Sequence, residues 1–211
     1  MFSAADLRHI ASLADRYGVI VLADEIHAPL TLPGARHTPY VAAGGPAAAH
    51  GVTLASASKA FNVAGLKAAV AVAASPVMAS LLGWLPAASQ FGAGLFGVLA
   101  SLAAWDAGDE WLDGLIAQLD HARAEFGALL AQRLPGAGYH PPEASYLAWV
   151  DVSRLDLGPE PAQVFLDRGR VTLGEGLNFG TPGAGHVRVT IATSSALLAG
   201  IVDRMAAAVA D

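Results

Sequence analysis

Residues 68 to 105 carry no charged side chain. A run of that length must cross a membrane, lie in a core or be covered by other protein, because apolar surface is poorly accommodated by water. A membrane-spanning helix needs about 20 predominantly apolar residues in succession. Here the run is interrupted by Pro76, by Pro86 with Ser89 and Gln90, and by Gly92, Gly94 and Gly97, and no Lys/Arg cluster flanks it. The opening MFSAADLRHIASL lacks a basic segment followed by an apolar one, so it does not read as a signal peptide. The stretch therefore reads as part of a soluble protein with large covered surfaces, Phe91 to Trp105 being a buried helix, and the expected location is the cytoplasm.

Composition narrows the class further. Charged residues make up 14% of the 211 residues, against roughly a quarter in an ordinary soluble domain. Too few charges remain to cover the surface, which again implies contact with other protein. With 12 Lys+Arg against 18 Asp+Glu and a net charge of −6, nothing attracts nucleic acid or an anionic membrane. The absence of cysteine excludes a disulfide framework and a Cys-ligated metal, and no metal site is expected.

The order of elements points to an α/β layer. Ser3 and Asp6 resemble a capping box ahead of apolar residues at helical spacing, Leu7, Ile10, Ala11, Leu13 and Ala14, with a stop at Gly18. Val19 to Leu22 reads as a strand buried on both faces, Gly51 to Ala55 as a second strand and Ala68 to Ala73 as a third. That succession predicts a mainly parallel sheet with helices. Beyond Ala74 come two helical stretches and a long amphipathic helix from Asp109 to about Leu134. Strands are expected over Ser145 to Val152 and His186 to Ile191, with helices over Pro159 to Arg168 and Ser194 to Ala210. This second half has a segregated α+β pattern, and the boundary is placed near residue 110.

In open α/β sheets, ligands bind outside the carboxyl ends of the strands. Asp24 follows the first strand and Lys59 lies just past the second. Lysine is usually a common surface residue, yet this chain has only Lys59 and Lys67. A Lys framed by Ser56 and Ser58 at such an edge suits an amine nucleophile, and Asp24 suits a cationic ring nitrogen. The same residues also fit an exposed loop lysine and an Asp capping the next turn. Arg188 lies on a predicted strand, where it either clamps a carboxylate or pairs with a surface acid. His37 reads as a loop residue rather than a base, and Trp105, Trp111, Trp149 and Tyr146 as core and interface packing.

Three strings carry a family resemblance: Ala23-Asp24-Glu25-Ile26-His27-Ala28-Pro29-Leu30, His37-Thr38-Pro39-Tyr40, and Ser56-Ala57-Ser58-Lys59-Ala60-Phe61-Asn62-Val63-Ala64-Gly65-Leu66. Ala103-Ala104-Trp105 with Trp111-Leu112, Ser145 to Asp151, and Gly185-His186-Val187-Arg188 continue it in order. Together they resemble the fold-type I pyridoxal-phosphate enzymes of the class I/II aminotransferase superfamily. The likeness is greatest to the MalY/PatB cystathionine β-lyase (C–S lyase) branch.

The resemblance implies a role for each residue. Lys59 would hold pyridoxal 5'-phosphate covalently and move the substrate Cα proton, and Asp24 would pair with the pyridine nitrogen. His27 would reach the phenolic oxygen, Ser56 and Ser58 the phosphate, and Lys67 the position where many aminotransferases place a phosphate-binding Arg. Arg188 would clamp the α-carboxylate of an amino acid substrate. The implied activity is β-elimination from cystathionine or a cysteine conjugate, giving thiol, pyruvate and ammonia. The alternatives are an aminotransferase using the same residues, or an inactive remnant or half-subunit needing a separate amino-terminal half. Residues 1–110 would be the carboxyl-terminal part of the large cofactor-binding domain and 111–211 the small domain with its linking helix. Such enzymes are homodimers nearly twice this length, and what is present matches their carboxyl-terminal half. Met1 falls where relatives continue without interruption, and Pro29 stands where they often carry an acid.

Overall fold

The computed structural model describes residues 1–210, position 90 by its backbone only. The chain forms two compact units, Met1–Ile116 and Ala117–Asp211. The division falls inside one helix, a few residues beyond the boundary expected near residue 110.

The first unit opens with helix α1 (Ala4–Tyr17), and its ends follow from local chemistry. The Ser3 hydroxyl accepts the Asp6 backbone N–H at 3.1 Å, and the Asp6 carboxylate accepts the Ser3 N–H at 3.0 Å. At the other end Gly18 adopts φ 63°, the left-handed turn that glycine enters without steric cost. Strand β1 (Val21–Asp24) follows, then the short helix α2 (Ala47–His50), β2 (Gly51–Ala55) and β3 (Val70–Ala73). Helices α3 (Pro76–Gly83), α4 (Ala87–Gln90) and α5 (Leu95–Ala107) lead into the long α6 (Asp109–Arg133).

The three strands form one sheet in the order β1-β2-β3. β1 pairs parallel with β2, whereas β3 runs antiparallel to β2. The sheet is thus mixed, not mainly parallel as the sequence suggested. The cause is the connection: the chain leaves β2 at Ala55, loops through residues 56–69 and returns to the same edge, so β3 must run the other way.

Burial departs from expectation in this unit. Leu7, Ala11, Tyr40, Ala43 and Ala47 form its small core cluster, with Val21 and Ala23 of β1 packed against it. The opposite face of β1 is open: Leu22 is 65% exposed, and β1 is an edge strand. The expected buried helix begins only at Leu95, and its Leu95, Phe96, Leu99 and Leu102 are exposed. Both segments have the composition of covered elements, yet among the described residues Leu22 and these four side chains of the helix stay open.

The second unit contains the rest of α6, then β4 (Gly138–Tyr139), β5 (Leu147–Asp151), α7 (Pro161–Gly169), β6 (Gly174–Glu175), β7 (His186–Thr190) and α8 (Ser195–Val209). Its antiparallel sheet has the order β4-β5-β7-β6. Alternation places Ala148, Val150, Val187 and Val189 on one face. That face packs on Phe126, Phe165, Leu198, Val202 and Met205 from the three helices in a single core. Full burial of each such side chain stabilises by about 1.5–3 kcal/mol before entropy is counted. No helix among the described residues is long and apolar enough to cross a membrane.

Candidate functional site

Parallel pairing of β1 with β2 decides where the predicted residues fall. The register sets Asp24 opposite Leu54, and the Glu25 N–H extends the ladder to the Leu54 carbonyl at 3.0 Å. Both strands therefore end at one edge of the sheet. Asp24 closes β1 there, and Ser56, Ser58 and Lys59 follow directly on β2.

The loop after β2 is a built object. The buried Ser56 hydroxyl donates to the Ala68 carbonyl at 2.5 Å, joining the loop's first residue to its return. The Ser58 N–H donates to the Ser56 hydroxyl oxygen at 3.1 Å, and the two hydroxyls lie 2.7 Å apart. Phe61 and Val63 N–H groups turn back to the carbonyls of Ala57 and Ser58. From α6, the Trp111 indole N–H donates to the Ala60 carbonyl at 3.1 Å. Lys59 is half-buried between fully buried Ala57 and Ala60, with no hydrogen bond or ion pair among the described residues. Lys67 caps the turn before Ala68 with a left-handed backbone, φ 52°, and its side chain is exposed.

Asp24 is exposed, and its Oδ1 accepts the Ile26 N–H at a long 3.3 Å. His27 is half-buried at the start of a 3₁₀ turn, and its carbonyl accepts the Leu30 N–H. Glu25, which sequence reading passed over, organises the next loop. Its carboxylate accepts the Tyr40 N–H at 2.7 Å and lies 3.3 Å from His37 Nε2. His37 is thus part of a loop brace, in keeping with its expected role as a loop residue.

Arg188 belongs to the second unit and lies on β7 opposite Trp149 of β5, on the face away from the core. Its guanidinium carbon is 4.6 Å above the Phe179 ring centroid. Next along this face, Ser153 hydrogen bonds hold the Asp151 carboxyl below the usual carboxylate range, the Ser153 N–H donating at 2.9 Å. Of the aromatic residues expected in core or interface packing, Trp105, Trp111 and Trp149 are exposed and so lie outside the core, while Tyr146 packs against the second unit's core. Trp111 serves through its N–H instead.

The donor set suits a particular kind of ligand. At one edge it offers a carboxylate, two lysine side chains and serine hydroxyls, which match a cationic ring, a carbonyl carbon and a phosphate. One detail differs: the Ser56 hydroxyl is buried against the Ala68 carbonyl, and the half-buried Ser58 is the more accessible of the two. Among the described residues no group of three His, Asp or Glu side chains is arranged to hold a metal.

Such an edge, at the carboxyl ends of neighbouring strands, is where open α/β sheets bind their ligands. The sequence profile described as aminotransferase class I and II matches residues 1–205, and the chain belongs to that family. A Mycobacterium tuberculosis protein named "Putative cystathionine beta-lyase" is 44% identical over 96% of this chain and 53% of its own length. Cystathionine beta-lyase PatB of Bacillus subtilis is 35% identical over 98% of this chain and 54% of its own. The crystal structure of a "putative plp-dependent beta-cystathionase" from Corynebacterium diphtheriae superposes with a TM-score of 0.94 at 34% identity. It is matched over 100% of this chain and 56% of its own. The chain therefore spans about half the length of the relatives it matches.

Proposed function

We propose that these residues are the carboxyl-terminal share of a pyridoxal-phosphate-dependent C–S β-lyase acting on cystathionine or a related cysteine conjugate. The observation that carries the reading is the parallel register of β1 and β2, which brings Asp24 and the Ser56–Lys59 segment to one sheet edge. Relatives named cystathionine beta-lyase, at 35% identity and above, support the choice of substrate.

In this reading Asp24 holds the positive charge of the cofactor's ring nitrogen. Ser58, with Ser56 and Lys67, faces the phosphate, and His27 donates to the phenolic oxygen. When bound, pyridoxal phosphate supplies an electron sink for charge left at the substrate Cα. Arg188 binds the α-carboxylate and fixes which Cα bond is presented. The Lys59 amine takes the Cα proton, the Cβ–S bond breaks and the sulfur leaves as thiol with a proton, and water hydrolyses the remaining three-carbon unit to pyruvate and ammonia. The whole protein is read as a cytoplasmic homodimer, with the exposed apolar surfaces of the first unit covered in it. The family's description favours a second reading, an aminotransferase using the same residues.

The test is an absorbance titration of the full chain with pyridoxal phosphate, followed by borohydride reduction and peptide mapping. Saturable binding reduced onto Lys59, and lost in Lys59→Ala, is expected. Label spread over Lys67 and the amino terminus would overturn the assignment. Cystathionine and a keto acid, supplied in parallel, then separate the two chemistries: thiol with pyruvate marks the lyase, and amino-group exchange alone marks the aminotransferase.

A further inference from the structure

A long arginine side chain is a poor clamp unless something fixes it, because it carries rotamer entropy that binding must remove. Among the described residues Arg188 has no carboxylate partner and donates no hydrogen bond, so the usual ways of fixing a guanidinium are absent. Three neighbours take their place. The Phe179 ring lies under the guanidinium, 4.6 Å from its carbon. Trp149 meets Phe179 edge to face, with centroids 5.5 Å apart at 85°, and stacks on His186 at 5.4 Å and 16°. Gly174 stands opposite Arg188 on β6, where an added Cβ would come within 3.2 Å of Arg188 Cβ and 3.5 Å of its Nε. The missing side chain clears the path along which the arginine crosses β6.

Phe179 is itself held. It ends a 3₁₀ turn (Gly176–Phe179) whose Gly176 packs backbone to backbone against Gly183, too close for any Cβ. A ring that is 52% exposed on so tight a loop is not placed by core packing. Its most specific contact is the cation above it.

We propose that Phe179 is a positioning residue that, with the clearance left by Gly174, pre-sets the Arg188 guanidinium for a substrate carboxylate. This rests on reading Arg188 as the carboxylate clamp. The ring lies against the guanidinium carbon, and the N–H groups, which donate no hydrogen bond among the described residues, are available for two parallel bonds to a carboxylate.

The test uses the full chain with ¹⁵N-labelled arginine, the Arg188 Nε–H signal being identified by its loss in Arg188→Lys. In the wild type this signal is displaced by the aromatic ring current and shifts on titration with L-alanine, an amino acid carrying the carboxylate but no leaving group. In Phe179→Leu, which keeps apolar bulk without a π face, the signal should join those of the exposed arginines and L-alanine should bind about threefold more weakly. Phe179→Tyr should restore both. Gly174→Ala should displace the Arg188 signal while Phe179 is intact. If Phe179→Leu leaves signal and affinity as in the wild type, the positioning role is wrong although Arg188 still binds. If L-alanine does not move Arg188 in the wild type, or binds Arg188→Lys equally well, the clamp reading fails and Phe179 is only a packing neighbour.

Discussion

Tyr139 shows how one side chain couples the second unit to pH. Its ring meets Phe126 edge-on at 5.2 Å, and its hydroxyl donates to the Arg123 backbone carbonyl at 3.2 Å. Burial pushes the phenol up to about 12, against a smaller opposing pull from the Arg123 charge. The fold thus favours the neutral phenol. Its contribution is complete below the unfolded value of about 10 and is lost as pH rises through about 12. Denaturant unfolding, followed by the amide signals of β5 and β7, should show stability falling across that window, and Tyr139→Phe should flatten the fall. An unchanged slope in the variant would assign the loss to other groups. Tyr40 is also raised by burial, but it lies in the first unit and does not enter that signal. Residues of this kind differ in how readable they are. Lys59 stood out because lysine is rare here and follows a strand. Phe179 gave no local signal, since its partner Arg188 comes nine positions later and the contact exists only once the loop has closed.

Two helical glycines separate propensity from packing. Gly114 in α6 has open space where a Cβ would go, so Gly114→Ala should stabilise by about 0.5–1 kcal/mol through lost backbone freedom in the unfolded chain. Gly97 in α5 is buried, and a Cβ there would overlap the Leu66 carbonyl oxygen and come within 3.0 Å of Ala68 Cβ. Overpacking of this kind costs about 1–3 kcal/mol, which exceeds the propensity gain. Gly97→Ala should therefore lower the melting temperature and weaken pyridoxal-phosphate binding, because it pushes on the loop that carries Lys59. A rise in both variants would show that α5 yields freely. Several elements were readable: α1 from its capping box, α6 and α8 from apolar spacing, and β2 as the short strand Gly51–Ala55. The direction of β3 was not, because pairing direction depends on how the 56–69 loop returns. Nor were β4 and β6, whose two residues are too few to show a period. The covered faces predicted for β1 and α5 were legible as a need for partners, but an apolar pattern does not say which chain supplies them.

The two units differ most in how much core each holds. The second buries Phe126, Phe165, Leu198, Val202 and Met205 against a four-stranded sheet. The first gathers Leu7, Ala11, Tyr40, Ala43 and Ala47 on one side of its sheet and leaves Leu22, Val70, Val72 and the apolar side of α5 in water. Local opening free energy follows buried apolar contact, so the two should open separately. Native-state hydrogen exchange at rising denaturant should release β1, β3 and α5 amides first, with weak denaturant dependence because little surface remains to expose. Amides of β5, β7 and α8 should persist to the global transition with a steeper dependence. The same ordering bears on function: the edge that carries Asp24 and Lys59 lies in the weaker unit, so covering its apolar face should protect those amides and sharpen cofactor binding together. Equal protection in both units at all denaturant concentrations would mean that the small first core is sufficient and that the open faces cost the fold nothing.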